Sequence, residues 1–269
     1  MGGIPIIVTI LLFVVVLINI DIDFKYFALM LLFLAYSALG FADDLIKIQK
    51  RQNEGLTSRQ KFFWQFLFAG IFAFILIYVG HNEGVSGIFK LLHFNSPWLY
   101  FPFTCLVVVG AANAVNLTDG LDGLAASTLA IAFAAFAVIS YNIQSNDPGI
   151  ISAAAAGASL AFLRFNIYPA EVFMGDVGSL GLGSLLAGVA VILHQELALA
   201  VIGGVFLIEA LSVMAQVSLY RAFKRRIFRM TPLHHHFELI GMSEPMVVVL
   251  FVVIAVIFAV AGVWCSAVL

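Results

Sequence analysis

The sequence predicts an all-α, polytopic membrane protein, and three observations predict it. Hydrophobic residues make up 63% of the 269-residue chain and charged residues only 10%, unlike a water-soluble domain. The apolar residues run in blocks, most of them near the ~20 helical residues that cross a hydrocarbon core of roughly 30 Å. The few charges gather between those blocks rather than inside them.

Taken in order, the first block, 3–20, reads as a true span or a signal anchor with no cleavable signal peptide. The second, 24–42, is expected to end at Asp43-Asp44. Blocks follow at 62–79, 98–115 and 123–141. The 150–163 block is short, but its Ala, Gly and Ser content suits a helix packed closely among neighbours. Blocks at 177–193, 197–220 and 245–268 complete about nine transmembrane helices in a single domain, 1–269. No linker, low-complexity tract or repeat divides it. Cys105 and Cys265 fall within apolar spans, where a structural disulfide is not expected.

Basic residues orient the bundle. Lys47, Lys50, Arg51, Arg59 and Lys61 share one connection, Arg164 marks a second, and Arg221, Lys224, Arg225, Arg226 and Arg229 a third. If nine spans alternate, those 11 of 13 basic residues lie on one side, leaving Lys25 and Lys90 opposite. The positive-inside rule makes that side cytoplasmic. Asp43, Asp44, Asp119, Asp122, Asp176 and His234-His235-His236 fall on the same side. His81, His93 and His194 fall on the other, at the interface.

The most informative stretch is Asn113-Ala-Val-Asn116-Leu-Thr-Asp119-Gly120-Leu121-Asp122-Gly123. A lipid-facing helix cannot solvate such residues, so they must line a wet or protein-walled site. Asp119 and Asp122 can converge on one side of a turn, and Gly120 and Gly123 let the backbone approach a ligand. Asp122 is also placed to N-cap the next helix. Asp43 and Asp44 end a helix where carboxylates are disfavoured; they are either a solvated helix end or carboxylates that a metal ion or a transferred proton compensates, with Lys47 a partial offset. Asp176 is either a helix cap or a ligand, and Phe173 either core packing or a stacking platform. Five carboxylates at the ends of apolar helices suit a divalent metal with phosphates.

Three consecutive histidines cannot all ligate one metal comfortably, so His234 to His236 fit phosphate contacts or proton handling better than zinc. Glu209 and Gln216, two turns apart in the 197–220 span, share a face. Glu209 is either functional or a buried structural hydrogen-bonding group, and Gln216 is the better ligand candidate.

Several blocks resemble, in order, the polyprenyl-phosphate N-acetylhexosamine-1-phosphate transferase superfamily. They are Met1-Gly-Gly-Ile-Pro5, Phe41-Ala-Asp-Asp44, Gly55-Leu-Thr-Ser-Arg-Gln-Lys61, Asn113–Gly123, Phe173-Met-Gly-Asp-Val-Gly-Ser179, Pro232-Leu-His-His-His-Phe-Glu-Leu239 and Gly241-Met-Ser-Glu-Pro245. The Pro232–Leu239 block is similar to that of the muramoyl-pentapeptide branch. The resemblance covers essentially the whole chain.

It implies that undecaprenyl phosphate attacks the β-phosphate of UDP-MurNAc-pentapeptide, giving lipid I and UMP with Mg²⁺ at the cytoplasmic face of the bacterial inner membrane. Asp176 is the first-choice Mg²⁺ ligand, with Asp43 or Asp44 in support, and Asp43 matches the family's base or nucleophile. Gly120, Leu121, Asp122, Asn166 and Phe173 match its nucleoside pocket, and His234, His235 and His236 its diphosphate-contacting histidines. Asn113, Asn116, Asp119 and Gln216 are the further substrate-binding candidates. The expected partners are the two substrates and the bilayer, with no nucleic acid; a homodimer is left open. The family pattern has ten spans, and Met1 coincides with an internal motif, so the first helix and a lysine-bearing loop are expected to be missing here. Three rivals remain. A transferase for another UDP-sugar is told apart by the histidine block, an inactive shortened form by assay, and an ion or solute transporter is disfavoured because the acidic motifs gather at one face without a repeat.

Overall fold

The computed structural model describes residues 2–17, 23–52, 54–81 and 96–268. Lys90 and His93 lie outside the described residues. Among those described there are eleven α-helices and no strand. They are α1 (Gly3–Leu17), α2 (Phe24–Lys50), α3 (Ser58–Tyr78), α4 (Pro97–Thr118), α5 (Leu124–Asn142), α6 (Asn146–Asn166), α7 (Gly175–Ile192), α8 (Glu196–Ile202), α9 (Gly204–Phe223), α10 (Leu233–Leu239) and α11 (Glu244–Val268).

Eight of these are long and apolar enough to cross a bilayer: α2 to α7, α9 and α11. The expected all-α polytopic membrane protein is what the chain forms. The described part of the first span, α1, has 15 residues and rises about 22 Å. Three boundaries differ from the sequence reading. The second helix continues beyond Asp43-Asp44 to Lys50, because those carboxylates find cations and backbone N–H groups alongside. The 197–220 block breaks at Gly203 into α8 and α9. The 150–163 block grows to 21 residues in α6.

Helix α7 is the hub, buried from Val177 to Ile192. It packs against α2 on one side and α4 on the other, with α1 alongside. Lipid gives no hydrophobic drive for helices to associate, so close contact must supply the attraction. The sequence provides it with small residues. A Cβ on Gly181 would overlap Ser37 Oγ of α2, and one on Gly183 would sit 2.7 Å from Ala112 Cα of α4. Around this hub α5 pairs with α6, α3 bridges α2 and α4, α9 leans on α4, and α11 covers α5 and α8.

This up-and-down winding brings the ends of α2, α4, α6 and α9 and the starts of α3, α5, α7, α10 and α11 to one end of the bundle. At the other end His81 and His194 stack with ring centroids 4.3 Å apart.

Candidate active site

Three carboxylates meet where α2 crosses the start of α7. One oxygen each from Asp43, Asp44 and Asp176 lies within 4.8 Å of the others. Asp43 is 1% exposed. Its Oδ1 accepts the Leu56 N–H at 2.8 Å, under a loop that passes so closely that a Cβ on Gly55 would overlap the carboxylate. Its Oδ2 lies 2.7 Å from Lys47 Nζ and 3.3 Å from Lys61 Nζ. The same two ammonium groups reach Asp176 Oδ2 at 3.1 and 2.7 Å. Like charges this close cannot persist without cations, and the two lysines supply them.

Asp44 has a different task. Its Oδ2 accepts the Val177 N–H at 3.3 Å and would lie 2.6 Å from a Cβ on Gly175, whose φ is +73°. The carboxylate at the N-terminus of α7 therefore comes from α2, where it opposes the positive end of the helix dipole. Asp176 is not the cap; it is turned to the lysines and to Asn116.

The end of α4 closes the cluster. Asn116 Nδ2 donates to Asp176 Oδ1 and to Ser179 Oγ, both at 2.8 Å. Asp119 follows directly after α4, partly buried. Burial above all, then the charges of Asp176 and Asp44, push its carboxyl up to about 7, against the lowering effect of the Gly175 N–H. Asn113 points elsewhere. Its Nδ2 donates to Gln65 Oε1 and to the Val109 carbonyl, both at 2.7 Å, so its amide joins α3 to α4.

The turn at 119–123 and the connection 167–174 form a second wall. Gly123, at φ +81°, is the residue before α5, and Asp122 does not cap that helix. Asp122 Oδ2 instead accepts the Ala170 N–H at 2.9 Å, while its own N–H donates to Glu244 Oε1 at 2.8 Å. Asn166 accepts the Gly123 N–H at 3.1 Å and donates to the Val172 carbonyl at 3.0 Å. Leu121 is buried in a side core with Leu124 and Val247. Phe173 stands out, 67% exposed on the same connection.

The histidines arrive on the two-turn helix α10 and find separate partners. His234 is fully buried, with Nε2 against Gly120 so closely that a Cβ there would overlap it. His235 Nδ1 lies 2.7 Å from Glu238 Oε2. His236 Nδ1 accepts the Arg229 N–H at 3.1 Å, between the rings of Phe228 and Phe237. Gln216 holds the strand of chain before them. Its Oε1 accepts from Ile227 and Phe228 N–H at 3.1 and 2.9 Å and its Nε2 donates to the Phe228 carbonyl at 3.1 Å. That amide is committed to backbone, which qualifies its reading as a ligand.

The acid cluster, Asp119 and His234 thus converge, while Asn113 and Gln216 brace the helices around them. Lys61 was not singled out by sequence. The signal was there: Thr57 and Gln60 form a capping box, which fixes the start of α3 and puts Lys61 in its first turn. Ser179 and Glu244 stand in the resembling blocks Phe173–Ser179 and Gly241–Pro245 without a role of their own, and Gln65 left no comparable trace.

Comparison with known proteins gives one answer. A family profile described as Glycosyl transferase family 4 matches residues 26–194. The chain is 44% identical over 272 residues to a protein of Oceanobacillus iheyensis, spanning 98% of this chain and 82% of that one. It is 45% identical over 266 residues to a Bacillus pumilus protein and 44% over 266 to one from Bacillus subtilis, with the same two coverages. All three relatives carry the name phospho-N-acetylmuramoyl-pentapeptide-transferase.

Proposed function

The chain belongs to glycosyl transferase family 4, and from that premise we propose that it transfers phospho-MurNAc-pentapeptide from UDP-MurNAc-pentapeptide to undecaprenyl phosphate. A lipid phosphate oxygen attacks the β-phosphorus, a new P–O bond forms, the diphosphate bond of the donor breaks, and lipid I and UMP leave. The observation that carries this reading is the convergence of Asp43, Asp44, Asp119 and Asp176 with Lys47, Lys61 and His234 at one end of a membrane bundle. We place that end at the cytoplasmic face of the inner membrane, from the sidedness of the basic residues.

The donor set fits Mg²⁺. It is all oxygen, from three carboxylates, and it already draws two ammonium groups to itself. Asp176, with Asp43 or Asp44, would hold the ion. When bound, Mg²⁺ neutralises charge on the diphosphate.

The chain's own residues do the rest. Lys47 and Lys61 balance the charge of Asp43 and Asp176 and hold both carboxylates in place. A phosphate monoester loses its second proton near pH 6, so the lipid phosphate is largely dianionic at neutral pH and needs little base catalysis. Asp43 then orients that phosphate or takes its last proton. Both of its oxygens are already engaged, which favours direct attack over an aspartyl-phosphate. Phe173 offers an exposed ring for the uracil, and the 119–123 turn with Asn166 shapes the wall beside it. His234 to His236 serve the diphosphate side.

The test is a donor panel with the purified protein. UDP-MurNAc-pentapeptide with undecaprenyl phosphate and Mg²⁺ should give a lipid-linked product and UMP, and EDTA should stop it. Equal turnover of UDP-GlcNAc, or product formation indifferent to EDTA, overturns the assignment.

A further inference from the structure

One buried acid in the membrane bundle has no part in the chemistry above. Glu209, on α9, is fully buried. Its Oε2 accepts the Leu233 N–H at 2.5 Å, and its Oε1 accepts the His234 N–H at 3.1 Å. The same Oε1 lies 3.3 Å from His234 Nδ1. A carboxylate in that position can only accept, so the ring nitrogen facing it carries the proton. The other ring nitrogen, Nε2, is buried with no hydrogen-bond partner among the described residues and rests against Gly120. A buried polar atom left without a partner costs free energy unless something else supplies one.

We propose that Glu209 is a positioning residue: it holds His234 as the Nδ1–H tautomer, so that Nε2 is the one ring function offered to substrate at the 119–123 turn. Three features assemble this. Glu209 fixes the backbone of α10 at Leu233 and His234, which sets where the ring starts. Its hydrogen bond to Nδ1 sets the ring's rotation and its proton. Gly120 gives Nε2 room to reach the turn that carries Asp119 and Asp122. His235 Nδ1 also faces a carboxylate, Glu238, but both side chains are about a third exposed, and His236 Nδ1 accepts the Arg229 N–H; of the three, His234 alone has a buried Nε2 without a partner among the described residues. The proposal therefore separates His234 from its two neighbours, which sequence alone could not rank. It rests on the transferase reading for its kinetic consequence but not for its structural one.

The experiment has two arms, both on the full chain in a lipid nanodisc. The first reads the ¹⁵N signals of histidine at a pH where the ring is neutral, without substrate, in wild type, Glu209→Leu and Glu209→Ala, with His234→Gln used to assign the signal. We expect a protonated Nδ1 and a bare Nε2 on His234 in wild type, and loss of that single tautomer in either variant that folds. A wild-type His234 protonated at Nε2 overturns the proposal outright, whatever the variants do. The second arm measures lipid product formation in a double-mutant cycle. Glu209→Leu should lower kcat about 10–100-fold, the range for groups that orient a functional histidine, with KM for the UDP-sugar within about twofold. In a His234→Gln background it should cost almost nothing more, because residues acting through one another are not additive. Additive losses would make Glu209 a structural residue only. If wild type makes no lipid product, the transferase reading fails, and the tautomer arm still decides the positioning claim.

Discussion

Replacing Lys61 by Met should expose how the acid cluster is kept intact. The ammonium group sits 2.7 Å from Asp176 Oδ2 and 3.3 Å from Asp43 Oδ2, and its side chain is 20% exposed. Removing one partner of a fully buried ion pair costs about 3–5 kcal/mol. Here Lys47 stays within 2.7 Å of Asp43 and 3.1 Å of Asp176, and the Lys61 side chain is only partly buried. The expected cost is therefore smaller, about 2 kcal/mol, and at about 2–4 °C per kcal/mol it lowers the melting temperature by about 4–8 °C. Divalent cations should then matter more to the variant than to wild type. An ion held by the carboxylates that Lys61 released stabilises by about 2.7 kcal/mol at a hundredfold excess over its Kd. The assay is thermal unfolding in detergent, with EDTA or with millimolar Mg²⁺, beside Arg59→Met as an exposed-charge control. If Lys61→Met melts with the control and responds to Mg²⁺ as wild type does, the lysine does not compensate the carboxylates.

Three further outcomes follow from the same geometry. Asp176→Asn keeps the shape but removes the charge on a hard-cation ligand, so Mg²⁺-dependent turnover should vanish while the melting curve shows a folded protein; near-normal turnover would remove Asp176 from that role. Gly120→Ala puts a methyl group where His234 Nε2 lies, and should lower product formation at least tenfold with the expression level unchanged; an unaffected rate would mean the imidazole does not need that approach. Asp119 ionises at 3.8 ordinarily and at about 7 in the fold, so the folded state holds its proton longer than the unfolded state. Stability should therefore fall as pH rises from about 4 to about 7 and level off above, by on the order of 4 kcal/mol at most. Asp119→Asn should flatten that limb of a melting-temperature profile against pH, and an unchanged limb would assign it elsewhere.

Much of this was legible in the sequence because a bilayer leaves few choices. Long apolar blocks must be helices, and an aspartate between them must have company. That logic placed the eight long helices and picked out Asp43, Asp44, Asp119 and Asp176. It failed where tertiary partners decide. Nothing local tells a helix to continue past Asp43-Asp44, since the lysines that make this tolerable come partly from α3 and the N–H group from α7. Asp122 had the spacing of a cap but bonds across to Ala170, 48 residues away. Amides are the hardest case. Asn113 and Asn116 sit three apart on one helix, yet one ties α4 to α3 and the other aims Asp176, because Gln65 and Ser179 happen to stand opposite them. Glu209 could be read either way from sequence, and only its distances to Leu233 and His234 give it a task.

Phosphoryl transfer with the sugar still attached is tested by an isotope at the right atom. Donor carrying ³²P only at the β-phosphorus should be incubated with undecaprenyl phosphate, Mg²⁺ and the purified protein, then partitioned between butanol and water. Label moving into the lipid phase with the muramoyl-pentapeptide, while unlabelled UMP appears in the water, is the expected result. Label remaining in the water as UDP, with sugar alone on the lipid, would contradict it.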